Sequence, residues 1–158
     1  MTAGSNTGED AKNAKVSRSA LKEVKKEIQK GKQDFSDDFS HDIIGAAVEV
    51  QRILGVGLLE SAYAGALAIE LTARGLRFER GLAIAASYKG QSLGTVYRAD
   101  FVVEARVIVE LKAVDDIADA HRAQLLSYLR LSGLKIGLLI NFSAFPVIKG
   151  IHRMVNKL

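Results

Sequence analysis

The spacing of apolar residues changes several times along the chain, and each change marks an element. Ile43, Ile44, Ala47, Val48, Val50 and Leu54, with Gln51 among them, recur at helical spacing and predict a helix with a broad apolar face. Gly55-Val56-Gly57 interrupts it, and a second helix is expected from Leu58 to Arg74, ended by Gly75. The period then shortens to that of strands: Phe78 to Tyr88, a turn at Lys89-Gly90-Gln91, then Leu93 to Val103. A reversal at Glu104-Ala105-Arg106 leads into Val107 to Ala113. That stretch is almost continuously apolar, as in an interior strand covered on both faces. Ile117 to Leu131 reads as a helix closed by Gly133, Leu134 to Phe142 as a second buried strand, and Val147 to Leu158 as a terminal helix. The order α-α-β-β-β-α-β-α predicts an α/β fold with helices on both sides of a mixed sheet.

This pattern starts near Phe35. Before it, residues 1–14 are small and polar, and Ser17 to Lys32 is lysine-rich with Leu21, Val24 and Ile28 at helical spacing. A segment that short is marginal as an isolated helix. Residues 1–35 are therefore expected to form a flexible basic leader, and residues 36–158 the folded domain. The leader carries eight Lys/Arg against five Asp/Glu, the remainder fourteen against thirteen, so most of the net charge of +4 lies in the leader. The charge of the domain alone says little about a nucleic-acid partner. The chain has no cysteine, which excludes a disulfide framework and thiolate zinc sites. It shows no signal-like apolar segment and no apolar run long enough to span a bilayer, so a cytoplasmic protein with no membrane partner is expected.

The informative residues are charges set in apolar text. Glu110 and Lys112 lie two apart on a predicted strand, so both leave the same face while Leu111 points the other way. A carboxylate in an interior strand is costly unless it is paired or holds a metal. A Glu–Lys ion pair at a strand end is one solution. Asp100 suggests another: if Val103 pairs with Val107, Asp100 falls opposite Glu110, with Cβ atoms about 5 Å apart on one face. Two like charges at that distance favour a cation between them. Glu60 shares a helix stripe with Tyr63, Ala64, Leu67 and Leu71, either as a third acid or as a first-turn acid that favours the helix dipole. On the later helix Ile117, His121, Gln124, Tyr128 and Leu131 form one stripe. A sheet-facing Gln124 must find partners, in the site or on the backbone. His121 reads as a satisfied edge histidine, and His41 and His152 have no metal-site spacing. Gly55-x-Gly57 follows a helix and has no phosphate-loop lysine, which argues against a nucleotide cradle.

Gly57-Leu58-Leu59-Glu60-Ser61-Ala62-Tyr63 reads G-x-x-E-x-x-Y. With Tyr97-Arg98-Ala99-Asp100, Val109-Glu110-Leu111-Lys112-Ala113, Ala123 to Leu129 and Gly137 to Phe142, it resembles the GxxExxY family of small bacterial proteins, a branch of the PD-(D/E)XK nuclease superfamily. The resemblance covers about residues 40–155. It implies a restriction-endonuclease-like αβββαβ core with a mixed four-stranded sheet flanked by helices. It also implies a Mg²⁺ site in which Mn²⁺ can substitute, held by Asp100, Glu110, the Leu111 carbonyl and Glu60. Lys112 would orient the attacking water, with Gln124 in the catalytic set and Tyr63, Tyr128 and Arg98 in support. Where the family carries a glutamine near its first strand, this chain has Arg80 nearby. The implied activity is phosphodiester hydrolysis on nucleic acid, DNA ahead of RNA, and many nucleases of this fold pair as homodimers. The rival expectation is a non-catalytic nucleic-acid- or protein-binding module that keeps the fold.

Overall fold

The computed structural model describes residues 39–157; the basic leader expected at 1–35 lies outside the described residues. Helix α1 (Ser40–Leu54) buries Ile43, Ala46, Ala47, Val50 and Gln51, one stripe at helical spacing. It ends at Gly55, whose φ of 71° lets its N–H close on the Gln51 carbonyl at 2.8 Å. Helix α2 (Glu60–Ala73) buries Tyr63, Leu67 and Leu71. Strands β1 (Phe78–Tyr88), β2 (Gln91–Val103) and β3 (Val107–Lys112) follow, then helix α3 (Asp119–Ser132) and strand β4 (Ile136–Asn141). Gly133, at φ 73°, stops α3 as its pattern predicts.

Completed by strand β5 (Ile151–Val155), the sheet runs β1-β2-β3-β4-β5 in sequence order, and among the described residues only β3 and β4 are parallel. Helix α3 supplies the crossover between those two strands. One core cluster joins α1 and α2 to the sheet through Tyr63, Leu67, Phe101, Val109, Leu111 and Ile140. The other joins α3 to the opposite face through Leu125, Tyr128, Leu129, Val102, Ile108 and Leu139. A Cβ at Gly137 would meet Leu125 at 2.9 Å, so a glycine there lets α3 lie close on β4. Among the described residues no helix is long and apolar enough to cross a membrane.

The expected terminal helix at 147–158 does not form. Val147–Gly150 is a single 3₁₀ turn, and Ile151–Val155 is a fifth strand, β5, antiparallel to β4. Among the described residues the sheet therefore has five strands rather than four. Val147, Ile151 and Met154 fit a helical period, whereas Ile151, Arg153 and Val155 fit a strand, so pattern alone could not arbitrate. Tertiary context decides it. Without β5 the strand β4, buried from Gly137 to Asn141, would leave a row of unpaired backbone groups at the sheet edge. Gly150 makes the approach possible, since a Cβ there would lie 2.6 Å from the Asn141 carbonyl and from Ala144.

Candidate active site at the fork between β2 and β3

The β2–β3 ladder pairs Val103 with Val107, Val102 with Ile108 and Phe101 with Val109. One step further, side chains take over from backbone. The Asp100 N–H donates to Glu110 Oε1 at 3.0 Å, and the Leu111 N–H donates to Asp100 Oδ2 at 2.8 Å. The two acids thus face each other, each holding an amide of the opposite strand. Glu110 is only 4% exposed, while Leu111 is fully buried on the far side of the sheet. Burial first, and Asp100's charge second, push the Glu110 carboxyl up to about 8; the Asp100 amide and the Lys112 charge pull against that rise. Among the described residues Glu110 and Lys112 form no ion pair, so the simple strand-end pair that their spacing also allowed is not what is built.

Glu60 enters from the first turn of α2 and is exposed at the mouth of the fork. Its carboxyl is raised by desolvation and by Asp100, while Lys112 and His121 act in the other direction. Groups from two strands and from a second helix thus act on this one carboxyl. Tyr63 shows how α2 is held there. Its ring is fully buried and stacks on Phe142 with centroids 4.5 Å apart. Its hydroxyl donates to the Gly55 carbonyl at 2.7 Å and accepts from the Leu58 N–H at 3.2 Å. The loop between α1 and α2, with Gly57 at φ 95°, is tied to the residue one turn after Glu60. That geometry explains the G-x-x-E-x-x-Y spacing. The helix starts at Glu60 rather than Leu58 because the Leu58 amide is bound to Tyr63 and Leu59 is extended.

Helix α3 closes the other side. Tyr128 is buried, packs edge-on against Tyr97, and has its hydroxyl pKa raised by burial and then by the Glu110 charge. Gln124 is half-buried beside Tyr97 and His121 along a hollow of about 400 Å³. His121 Nδ1 accepts the Ala118 N–H at 3.0 Å at the start of α3, an edge histidine with a partner. Arg98 is not brought to the acids: it is exposed, and its guanidinium donates to the Gly81 carbonyl at 3.4 Å. Arg80 is also exposed and lies over the Phe101 ring.

Two positions that shape the site went unread in the sequence. Arg80 pairs with Phe101 and Leu82 with Ala99, and between them Gly81, at φ 61°, lies across from Asp100. At that point the strand changes face: Tyr97 and Ala99 pack towards α3, whereas Phe101 and Val103 pack towards α1 and α2. A glycine inside a strand was the available signal. The other is Asn141, paired with Lys112 across β3–β4. Its side chain accepts the Val114 N–H at 3.1 Å and donates to the Val114 carbonyl at 2.8 Å, which fixes the chain after Lys112. A buried amide ending an apolar strand was its signal.

The donor set suits a hard divalent cation. Asp100, Glu110 and the Leu111 carbonyl offer oxygen, and both the burial that chiefly raises the Glu110 pKa and the Asp100 charge that adds to it are what a cation at that point would offset. Among the described residues no three Asp, Glu or His side chains make a ready cage, so waters or substrate oxygens would complete the coordination.

A mixed sheet flanked by helices, with facing acids and a lysine at its fork, defines a restriction-endonuclease-like α/β protein. The sequence model of the PD-(D/E)XK nuclease superfamily matches residues 37–154, and the chain belongs to that superfamily. Neither the curated proteins nor the solved structures compared with it gave a match.

Proposed function

We propose that the chain is a divalent-metal-dependent nuclease of the GxxExxY type that hydrolyses phosphodiester bonds. The observation that carries this reading is the facing pair Asp100 and Glu110, with Lys112 leaving the same side of β3 two residues on. Membership of the superfamily supports nucleic acid as the substrate. Asp100, Glu110 and the Leu111 carbonyl would hold the cation, and Glu60 would add a ligand or a water contact from the mouth. A divalent cation held there, Mg²⁺ or Mn²⁺, would supply polarisation of a phosphoryl oxygen and a more acidic neighbouring water. Lys112 orients the attacking water and balances the charge that grows on the phosphate. Gln124 and Tyr128 hold the α3 side of the cleft. The water oxygen forms a bond to phosphorus, and the ester oxygen leaves with its electron pair and takes up a proton.

The test is purified protein with Mn²⁺ against labelled single- and double-stranded DNA and RNA. At least one substrate should be cut, and Lys112→Ala should abolish cutting with its melting temperature within a few degrees of the parent. Wild-type rates in Lys112→Ala would remove the role given to the lysine. Manganese binding that survives Asp100→Asn would remove the metal site.

A further inference from the structure

Two hollows of about 400 and 330 Å³ lie end to end between α3 and the β1–β2 hairpin, sharing Tyr97 and Ser127 as common walls. The first continues through His121 and Gln124 towards the acids, and the second runs away from them past Leu131 to Arg130. From His121 to Arg130 is nine helical residues, about 13 Å at 1.5 Å each. That is room for several stacked bases at about 3.4 Å apiece. Among the described residues no Asp or Glu lines either hollow, while a histidine and an arginine do. The separate hollow beside Arg122, Lys149 and His152 differs, because Asp115 and Asp116 also line it.

Tyr97 stands where the two hollows meet. It is half-buried, and Tyr128 braces it edge-on with ring centroids 4.3 Å apart and planes at 66°. A ring fixed from behind and open in front is a stacking platform with little left to order on binding. Apolar walls, one braced aromatic and a cation at the far end suit flat faces joined by phosphates. In a duplex those faces are already stacked on one another and out of reach.

We propose that this trough seats an unpaired nucleic-acid strand, with a base stacked on Tyr97 and a phosphate at Arg130, and leads the strand to the fork. The proposal rests on the nuclease reading and narrows its substrate class to single strands or unpaired ends. Stacking accepts any base, so the trough selects by strandedness and not by sequence.

The experiment measures binding by the full chain carrying Lys112→Ala, without divalent metal, to a fluorescent 12-nucleotide DNA single strand and to the same sequence as a blunt duplex. The single strand should bind more tightly. Adding Tyr97→Ala should weaken it roughly tenfold, while Tyr97→Trp keeps it. Arg130→Ala should flatten the dependence of log Kd on log salt by about 0.7, one phosphate's worth for a single strand. Should Tyr97→Ala fail to fold, Ser127→Phe fills the junction from the surface side and should weaken binding to a similar degree. Equal affinity for strand and duplex, or parent-like binding in both Tyr97→Ala and Ser127→Phe, overturns the trough. Cleavage of a single strand by the native chain, combined with parent-like binding of those variants, removes the trough and leaves the nuclease reading standing. Binding that depends on Tyr97, with no cleavage of any substrate by the native chain, does the reverse.

Discussion

Glu110→Gln is the most informative single change, because without metal it keeps shape and removes only the proton equilibrium. The carboxyl is nearly inaccessible and sits opposite Asp100, and these two causes raise it from 4.5 to about 8. A raised pKa means that the folded chain holds the proton more tightly than the unfolded one. The stabilisation is therefore complete below about pH 4.5 and is lost as pH climbs through about 8. At about 1.36 kcal/mol per pH unit, that interval bounds the loss at about 5 kcal/mol. In the Glu110→Gln variant the amide oxygen still accepts the Asp100 N–H, but no charge develops. Urea unfolding in EDTA from pH 5 to 9 should show the native chain weakening by a few kcal/mol relative to Glu110→Gln, with the gap opening above about pH 5. A cation must displace the same proton, so Mg²⁺ or Mn²⁺ affinity should rise by up to about tenfold per pH unit until about pH 8. Calorimetry at pH 7 in buffers of different ionisation enthalpy should register close to one proton released per ion bound. Parallel unfolding profiles for the two chains, or proton-free metal binding, would refute the account of the buried pair.

Two further changes test the scaffold. Tyr63→Phe keeps the stack on Phe142 but leaves the Gly55 carbonyl and Leu58 amide without their partner; it should cost about 1–3 kcal/mol. Faster hydrogen exchange at Leu58 should accompany the loss, and unchanged protection there would separate Tyr63 from the placement of Glu60. Gly81→Ala should cost about 1–2 kcal/mol through its φ of 61° alone, since nothing lies within 4 Å of the added Cβ. Gly65→Ala in mid-α2, equally uncrowded and without a positive φ, should stabilise by about 0.5–1 kcal/mol in the same thermal melts.

How much could be read beforehand depended on how local each cause was. The register followed from one turn: with the reversal at 104–106 placed, Val103 meets Val107, and Asp100 then falls opposite Glu110 by counting. The α3 stripe was legible because 3.6-residue spacing survives any partner; Tyr128 is buried and Leu131 packs on the same cluster, as does Ile117, although the helix begins two residues after it. The strand β5 was not legible, since its residues satisfy two periods and only the open edge of β4 chooses between them. Nor was the inversion of faces at Gly81. Strict alternation would send Asp100 and Tyr97 to opposite faces, yet Tyr97 packs against Tyr128, which also feels the Asp100 charge. The position of Glu60 lay between these cases. Its helix stripe was right for Tyr63, Leu67 and Leu71, but the stripe leaves the core at the first turn, and the acid stands exposed at the mouth.

The fork is also where the requirements of the sheet and of the site diverge. A ladder continued past Phe101 and Val109 would use backbone groups on both strands and leave no need for acids. Here the amides of Asp100 and Leu111 are held by carboxylates instead, and each carboxylate is fixed by the bond it accepts. The sheet gives up regular pairing at one step and gains two acids whose positions are set by the opposite strand. That exchange leaves Glu110 buried beside a like charge, a standing cost within an otherwise apolar core. A purely structural role does not account for the cost, because an apolar pair at these positions would continue the ladder without it. On the nuclease reading proposed above, a bound cation would account for it: the ion would turn the repulsion between the two acids into attraction to a common centre, and it would serve the phosphodiester chemistry proposed for this fork.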